Sequence, residues 1–250
     1  MELFAFPVNL ILALVWGGII LWLWKDYRRS AFVRWFLSPL ATLSSILLFG
    51  SGCLVAGFAG VECTCSWWFT AVLFFMMTVL AFVLLRGLRD AGGKLRYRFI
   101  LNHFGLLTVL VSLFFGSPDK DVLRLSLTPG MTSNIAYRED GSMDKLRYEV
   151  CLEDFRTDYY ENGVPAVYEA TISVNGKTVS LKVNSPYAAR FAEQIYLVSA
   201  SGPQAQGGCV LQVVRQPWKW LTVIGIILMV TGAVLLFVQG PQTLSGHREE

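Results

Sequence analysis

The stretch FILNHFGLLTVLVSLFFGSPDKDVLRLSLT, residues 99–128, decides the fold, because two different patterns meet in it. Residues 99–115 carry no acidic or basic residue except a histidine, and a helix of about this length can cross the roughly 30 Å hydrocarbon core of a bilayer. In residues 123–128 leucines alternate with polar residues, and a period of two is typical of a half-buried strand. The stretch therefore predicts a membrane helix that leads into a β domain.

The whole chain follows this division. Its 250 residues are 54% hydrophobic and only 16% charged, which is too apolar for a single water-soluble core. Runs long enough to span a membrane occupy residues 4–24, 35–61, 63–85, 99–115 and 220–238. The first run lacks the basic start and cleavage site of a signal peptide, so we expect a retained helix.

The predicted fold is a polytopic α-helical membrane protein of about five transmembrane helices with an inserted extracytoplasmic all-β domain, a sandwich or open barrel. Its expected parts are four helices, the β domain, a fifth helix and a short cytoplasmic tail, which correspond to residues 1–116, 117–216, 217–240 and 241–250.

Positive charge predicts the orientation. Lysines and arginines are concentrated after the first and third spans, at Lys25, Arg28, Arg29, Arg34, Arg86, Arg89, Lys94, Arg96 and Arg98. Loops rich in these residues stay in the cytoplasm. The amino terminus, the loop at Glu62 and the β domain are therefore expected on the outer side.

The clearest element of the β domain is a hairpin at residues 171–183. Asn175-Gly176 supplies the two residues with positive φ that a type I′ turn requires, and this turn places Ile172 opposite Val179. Similar turn signals recur through the segment, and they predict about six to eight short strands.

Several function classes are poorly supported by the composition. The 21 Lys and Arg against 18 Asp and Glu leave a net charge of +3, with no clustered basic face for nucleic acid. Five cysteines without metal-ligand spacing and two histidines do not form a zinc site. No nucleophile and base pair is visible, so no catalytic residue is assigned.

His103 is the most informative single residue. It lies near the predicted cytoplasmic start of the fourth span, and an ionisable group inside a span is a functional candidate by default. Neutral imidazole is a good axial ligand for heme iron. The alternative is a histidine that only forms a hydrogen bond to a neighbouring helix.

Four cysteines are candidates for redox or disulfide chemistry. Cys63 and Cys65 are expected outside the membrane, where a strained bridge between them could exchange electrons with a thiol partner such as a thioredoxin-like reductant. The alternative is a local structural pair or two unrelated thiols. Cys151 and Cys209 fall in different predicted strands, and a bridge between them would clip the domain, although Cys151 points to the polar face.

The order of these segments carries a family resemblance, together with several short motifs. The motifs are HFGLLTVLVSLFFG at 103–116, LEDFRTDYYENGVPAVY at 152–168, VNSP at 183–186, QIY at 194–196 and QPWKW at 216–220, followed by Gly225 and Gly232. Over residues 99–240 the chain resembles the ResB/CcsB family of cytochrome c biogenesis proteins.

This resemblance implies a membrane subunit of a system II cytochrome c synthase in the bacterial inner membrane, with its β domain in the periplasm. With a ResC/CcsA-type partner it would export heme b, transported rather than permanently held, and present it to apocytochrome c for covalent attachment. His103 matches the family's intramembrane heme ligand. The partner's tryptophan-rich loop ending in Trp-Asp is absent, because Phe69 follows Trp67-Trp68, so the chain would not be catalytic alone.

Two other functions remain open. The first is an extracytoplasmic thiol-redox membrane protein that uses Cys63 and Cys65. The second is a non-catalytic membrane scaffold with an external β recognition domain. These alternatives differ in which of Cys65 and His103 is required.

Overall fold

The computed structural model of the chain describes residues 4–59, 66–89, 93–162, 165–201 and 207–239. These residues form two compact units. One is the β domain, Asp119–Pro217, and the other is a helical bundle built from the segments before and after it.

Five helices of the bundle are long and apolar enough to cross a membrane. They are α1 (Val8–Tyr27), α3 (Pro39–Ala59), α4 (Trp67–Gly87), α5 (Tyr97–Gly116) and α6 (Lys219–Gln239), and a short helix α2 (Ala31–Phe36) precedes α3. The prediction of a multi-pass helical membrane protein is therefore confirmed.

The second predicted span begins later in the structure than the sequence suggested. Residues 35–37 belong to α2 and its end, and the membrane helix α3 starts at Pro39. Proline lacks a backbone N–H and is favoured in the first turn of a helix, where that donor would have no partner. The Ser38 hydroxyl accepts a hydrogen bond from the Ala41 amide at 3.1 Å. These two residues start a new helix inside what was expected to be one apolar run.

Helix α4 is the most buried of the five long helices. Met77 and Phe82 are fully buried, and both belong to clusters that also include side chains of α1. By contrast, α1, α3 and α6 leave many large apolar side chains exposed, which is expected of faces that contact lipid.

Helices α5 and α6 pack antiparallel at very short distance. A Cβ atom built on Gly105 would lie 2.7 Å from the Gly225 carbonyl oxygen, and one built on Gly225 would lie 2.8 Å from the Gly105 oxygen. Farther along the interface, the Ser112 and Thr222 hydroxyls share a hydrogen bond. Small residues permit this backbone approach, which is a usual way of packing helices in lipid.

The β domain is an eight-stranded antiparallel sheet in the order β5-β4-β3-β2-β1-β8-β7-β6. The strands are β1 (Asp121–Leu127), β2 (Thr132–Tyr137), β3 (Met143–Tyr159), β4 (Pro165–Val174), β5 (Lys177–Lys182), β6 (Tyr187–Arg190), β7 (Glu193–Ser201) and β8 (Gly208–Arg215). The strand alternation is confirmed, since Leu123, Leu125 and Leu127 are buried while Arg124 and Ser126 are exposed.

Chain connectivity requires the sheet to curl. Strands β5 and β6 are at opposite ends of the sheet order, and a flat sheet of this size would place them about 34 Å apart. Only the residues between Lys182 and Tyr187 connect them, and such a segment spans at most about 17 Å. The sheet therefore curls into an open barrel around one core, with β4 and β5 approaching β7.

The predicted hairpin is present between β4 and β5. Ile172 pairs with Val179, and both turn residues have positive φ, 51° at Asn175 and 78° at Gly176. The type I′ turn expected from Asn-Gly is confirmed.

Candidate functional site

His103 lies in the seventh position of α5 and is half-buried. With a rise of 1.5 Å per residue, its Cα is about 9 Å along the axis from the first residue of the helix. Helix α5 qualifies as a membrane span, so the imidazole lies within the spanning segment rather than in a loop.

One hydrogen bond determines which ring nitrogen of His103 is free. The Nδ1 atom lies 2.9 Å from the carbonyl oxygen of Phe99, one turn earlier in α5. A carbonyl oxygen can only accept, so Nδ1 carries the proton and donates it. In the neutral ring Nε2 then keeps its lone pair, which is the arrangement in which histidine binds a metal ion.

Ring stacking also holds the imidazole. The rings of Phe99 and His103 are stacked, with centroids 3.9 Å apart and planes 26° from parallel. Phe99 is in turn seated against Gly87 of α4, where a built Cβ would come within 2.2 Å of its ring. The orientation of His103 therefore depends on the close packing of α4 and α5.

A pocket of about 550 Å³ adjoins this stack. It lies where the start of α3, the end of α4 and the start of α5 meet, and we call it the α3–α4–α5 pocket. Its lining is Leu37, Pro39, Thr42, Leu43, Val83, Arg86, Gly87, Arg96 and Phe99. The Phe99 ring therefore stacks on His103 and also lines the pocket.

The sequence alone did not single out this pocket. In the sequence, Arg86 and Arg96 indicate only the orientation of the membrane helices. The spacing of Arg96, Phe99 and His103 was an available signal, because residues at i, i+3 and i+7 share one helix face. The residues of α3 and α4 that line the pocket could not be predicted from the spacing of residues along the chain.

No group of three or more His, Cys, Asp or Glu residues gathers to hold a metal ion in the part of the chain that the structure describes. His103 can provide one ligand to an iron centre, and its donor atom suits that role. His247, the second histidine of the sequence, lies outside the described residues.

In the β domain, charged side chains join the strand ends that connect to the bundle. Arg138 forms a two-pronged pair with Asp121 at 3.0 Å for each bond and also contacts Asp144 at 3.1 Å. Arg215 contacts Asp144 at 2.5 Å and Glu193 at 3.6 Å. Since Asp121 begins β1 and Arg215 ends β8, the network ties together the two strands that continue toward α5 and α6.

Burial and these partners change the ionisation of the network. Burial by itself would raise the pKa of Asp144, but the Arg215 hydrogen bond and the charges of Arg215 and Arg138 outweigh it and hold this pKa below its ordinary value. Burial, together with a hydrogen bond of 2.8 Å to Glu193, raises the pKa of the Tyr148 hydroxyl, so it remains a donor. We assign the network a structural role.

Cys151 and Cys209 are both free thiols on opposite faces of the sheet. Cys209 on β8 is fully buried in the core, whereas Cys151 alternates with buried Val150 and Leu152 and points outward. A disulfide requires Cβ atoms about 3.8 Å apart, which side chains on opposite faces do not provide. The expected clip is therefore not formed. Cys63 and Cys65 lie outside the described residues, and their redox role stays a prediction.

Cys151 borders an open groove of about 780 Å³ on the outer face of β2, β3 and β4. Lys145, Arg147 and Glu149 also line it, together with polar residues of the β4–β5 turn. The groove is a polar surface of mixed charge.

The fold and His103 together define a class of protein, namely a multi-pass helical membrane protein with an inserted β domain and an intramembrane histidine. Residues 90–208 match the model of the ResB-like family. The predicted resemblance to this family is therefore confirmed over this region, which is 119 of the 250 residues. This match supports a role in cytochrome c biogenesis.

Among solved structures, the chain is similar to one described as the cytochrome c heme lyase CcmF. The similarity has a TM-score of 0.42 and 14% sequence identity, and it covers 94% of this chain and 40% of that chain. This chain thus spans less than half the length of that protein. No curated protein matches the chain.

Proposed function

We propose that this chain is a membrane subunit of a system II cytochrome c synthase, which helps to export heme and to present it with apocytochrome c for covalent attachment. Heme b is the transported substrate, and a ResC/CcsA-type membrane protein is the partner. The chain lies in the bacterial inner membrane with its β domain in the periplasm.

One observation carries this proposal. The Nδ1 atom of His103 is engaged by the Phe99 carbonyl at 2.9 Å, which leaves the lone pair of Nε2 for an iron ion inside a membrane helix.

The residues of this chain indicate which tasks it performs and which fall to its membrane partner. His103 offers one axial ligand, so a second protein ligand has to come from the partner. The β domain carries a polar groove and no assigned catalytic residue, which fits a role in positioning apocytochrome c rather than forming the thioether bonds. The basic segments that follow α1 and α4 support a position of His103 toward the cytoplasmic side, by the positive-inside rule.

The test is an absorption spectrum of the full chain, purified in detergent together with its membrane partner and loaded with heme. His103→Ala is compared with wild type and with a control, His247→Ala, in the carboxy-terminal tail. We expect the Soret band to be lost or shifted in His103→Ala only and restored by added imidazole. An unchanged spectrum in a well-assembled complex would remove His103 from the mechanism and favour the scaffold or thiol-redox alternatives.

A further inference from the structure

The α3–α4–α5 pocket combines an apolar wall with two guanidinium groups. Leu43 and Val83 contribute to the wall, and Arg86 and Arg96 provide the positive charge. A pocket with this lining suits a ligand that is mostly apolar and carries negative charge at one edge. Arginine is especially suited to this task because its planar fork of donors matches a carboxylate.

Both guanidiniums have donors to spare. Arg86 Nη1 donates to the Leu37 carbonyl oxygen at 3.3 Å, which uses one of five N–H groups. The Arg96 guanidinium lies 4.8 Å from the centroid of the Phe99 ring, a contact that uses its face rather than its N–H groups. Within the described residues, neither arginine forms an ion pair with a carboxylate.

Helix geometry places the positive charge of Arg96 on the same side of α5 as His103. Arg96, Phe99 and His103 are separated by three and four residues, so they lie along one face of α5 and its cap. Seven residues correspond to about 10 Å along the helix axis. Between the two ends lies the Phe99 ring, which stacks face to face on the His103 imidazole.

We propose that Arg86 and Arg96 bind the two propionate carboxylates of the heme whose iron is ligated by His103. This inference rests on the proposed function and identifies the part of the substrate that the α3–α4–α5 pocket recognises. Heme carries its iron at the centre of a flat macrocycle and both propionates on one edge, and the site presents its groups in the same order. The two arginines are positioning residues.

A phospholipid headgroup offers the same negative charge to the arginines. It has no metal ion for the Nε2 lone pair of His103. The arrangement around the pocket therefore favours heme carboxylates over a lipid phosphate.

The experiment compares two probes that differ only in charge, ferric heme and ferric heme dimethyl ester, in which both propionates are esterified. Each is titrated into the full chain in detergent, and binding is followed at the Soret band. Wild type is compared with the Arg86→Gln/Arg96→Gln double variant and with Arg34→Gln, a control for an exposed arginine of α2 outside the pocket.

We expect wild type and Arg34→Gln to bind heme at least about tenfold more tightly than the ester, as loss of charge-assisted hydrogen bonds would give. The double variant should bind both probes within about twofold while keeping the His103-dependent band position. If the double variant does not fold, Arg86→Gln and Arg96→Gln are measured singly, and each should reduce the preference for heme over the ester; an unchanged preference in both would overturn the assignment.

Equal affinity of wild type for both probes, with a band that still depends on His103, would overturn the propionate assignment and leave the proposed function intact. A band that does not depend on His103 would overturn both. The lipid alternative is tested with phosphatidylglycerol nanodiscs. If the arginine substitutions weaken lipid retention and leave the heme-to-ester ratio unchanged, the pocket is a headgroup site instead.

Discussion

Substitution of Gly105 by alanine is expected to destabilise the helical bundle at the α5–α6 interface. The added Cβ would lie 2.7 Å from the Gly225 oxygen and 2.8 Å from the Met229 backbone nitrogen. Both are backbone atoms that no side-chain rotation can move. To restore ordinary van der Waals contact, the two helices would have to separate by about 0.7 Å.

This separation sets the expected magnitude. Overpacking of a tightly packed site typically costs about 1–3 kcal/mol. The same movement stretches the Ser112–Thr222 hydrogen bond, and such bonds between membrane helices contribute about 0.6 kcal/mol on average. Alanine is a better helix former than glycine by up to about 1 kcal/mol, which offsets part of the loss. A net loss of about 2 kcal/mol in the free energy of unfolding is expected.

The assay is an SDS unfolding titration of the full chain in mixed micelles, with Gly57→Ala as the matched control. Gly57 is also inside a membrane helix, α3, but a Cβ at this position has no neighbour within 4 Å. Its substitution should be neutral or slightly stabilising. The Gly105→Ala/Gly225→Ala double variant should lose less than the sum of the single losses, because the first Cβ already separates the helices.

Two results would refute the reasoning. If Gly105→Ala unfolds at the wild-type SDS concentration, the helices do not pack as closely as the structure indicates. If Gly57→Ala is destabilised as strongly as Gly105→Ala, the loss reflects glycine content rather than the interface.

Two further predictions concern the β domain. Because the pKa of Asp144 is lower in the folded state, its stabilisation is fully present above the unfolded-state pKa of about 3.9 and is lost as the pH falls through the folded value. After correction for the pH dependence of the intrinsic exchange rate, the protection of β3 and β8 amides against hydrogen exchange should fall below about pH 4 in wild type and less steeply in Asp144→Asn. An equal acid response in both proteins would exclude this carboxylate. Burial raises the pKa of the Cys209 thiol to about 12. A maleimide should therefore label Cys151 but not Cys209 in the folded protein, and it should label both thiols after denaturation. Rapid labelling of Cys209 in a folded Cys151→Ser variant would contradict the position of Cys209 in the core.

The membrane helices and the strands were predictable because each depends on a local pattern. A helix in lipid requires a long uncharged run whatever the rest of the chain does, and residues 99–115 and 220–238 satisfy this by themselves. Alternation alone likewise placed Leu123, Leu125 and Leu127 on one face. The Asn175-Gly176 turn was predictable because few other dipeptides accept positive φ at both positions.

Local pattern was not enough where two apolar elements follow each other without a charge. The expected single run at residues 35–61 contains the end of α2 and the start of α3, because Pro39 and its cap Ser38 begin a new helix. Similarly, alternation indicated that Cys151 points to the polar face, but only the strand order and the core show that Cys209 is on the opposite face.

For the candidate site, the sequence by itself determined that a lone histidine lies in a membrane helix, since that requires only the residue and the span around it. The tertiary structure decided the rest: the pocket needs Arg86 from α4 beside Arg96, and the His103 stack needs Phe99 seated on Gly87. It also decided between sandwich and open barrel, through a short connection from one end of the sheet to the other. The physical reason is common to all three, because contacts between distant segments depend on close packing in space, which no periodicity along the chain encodes.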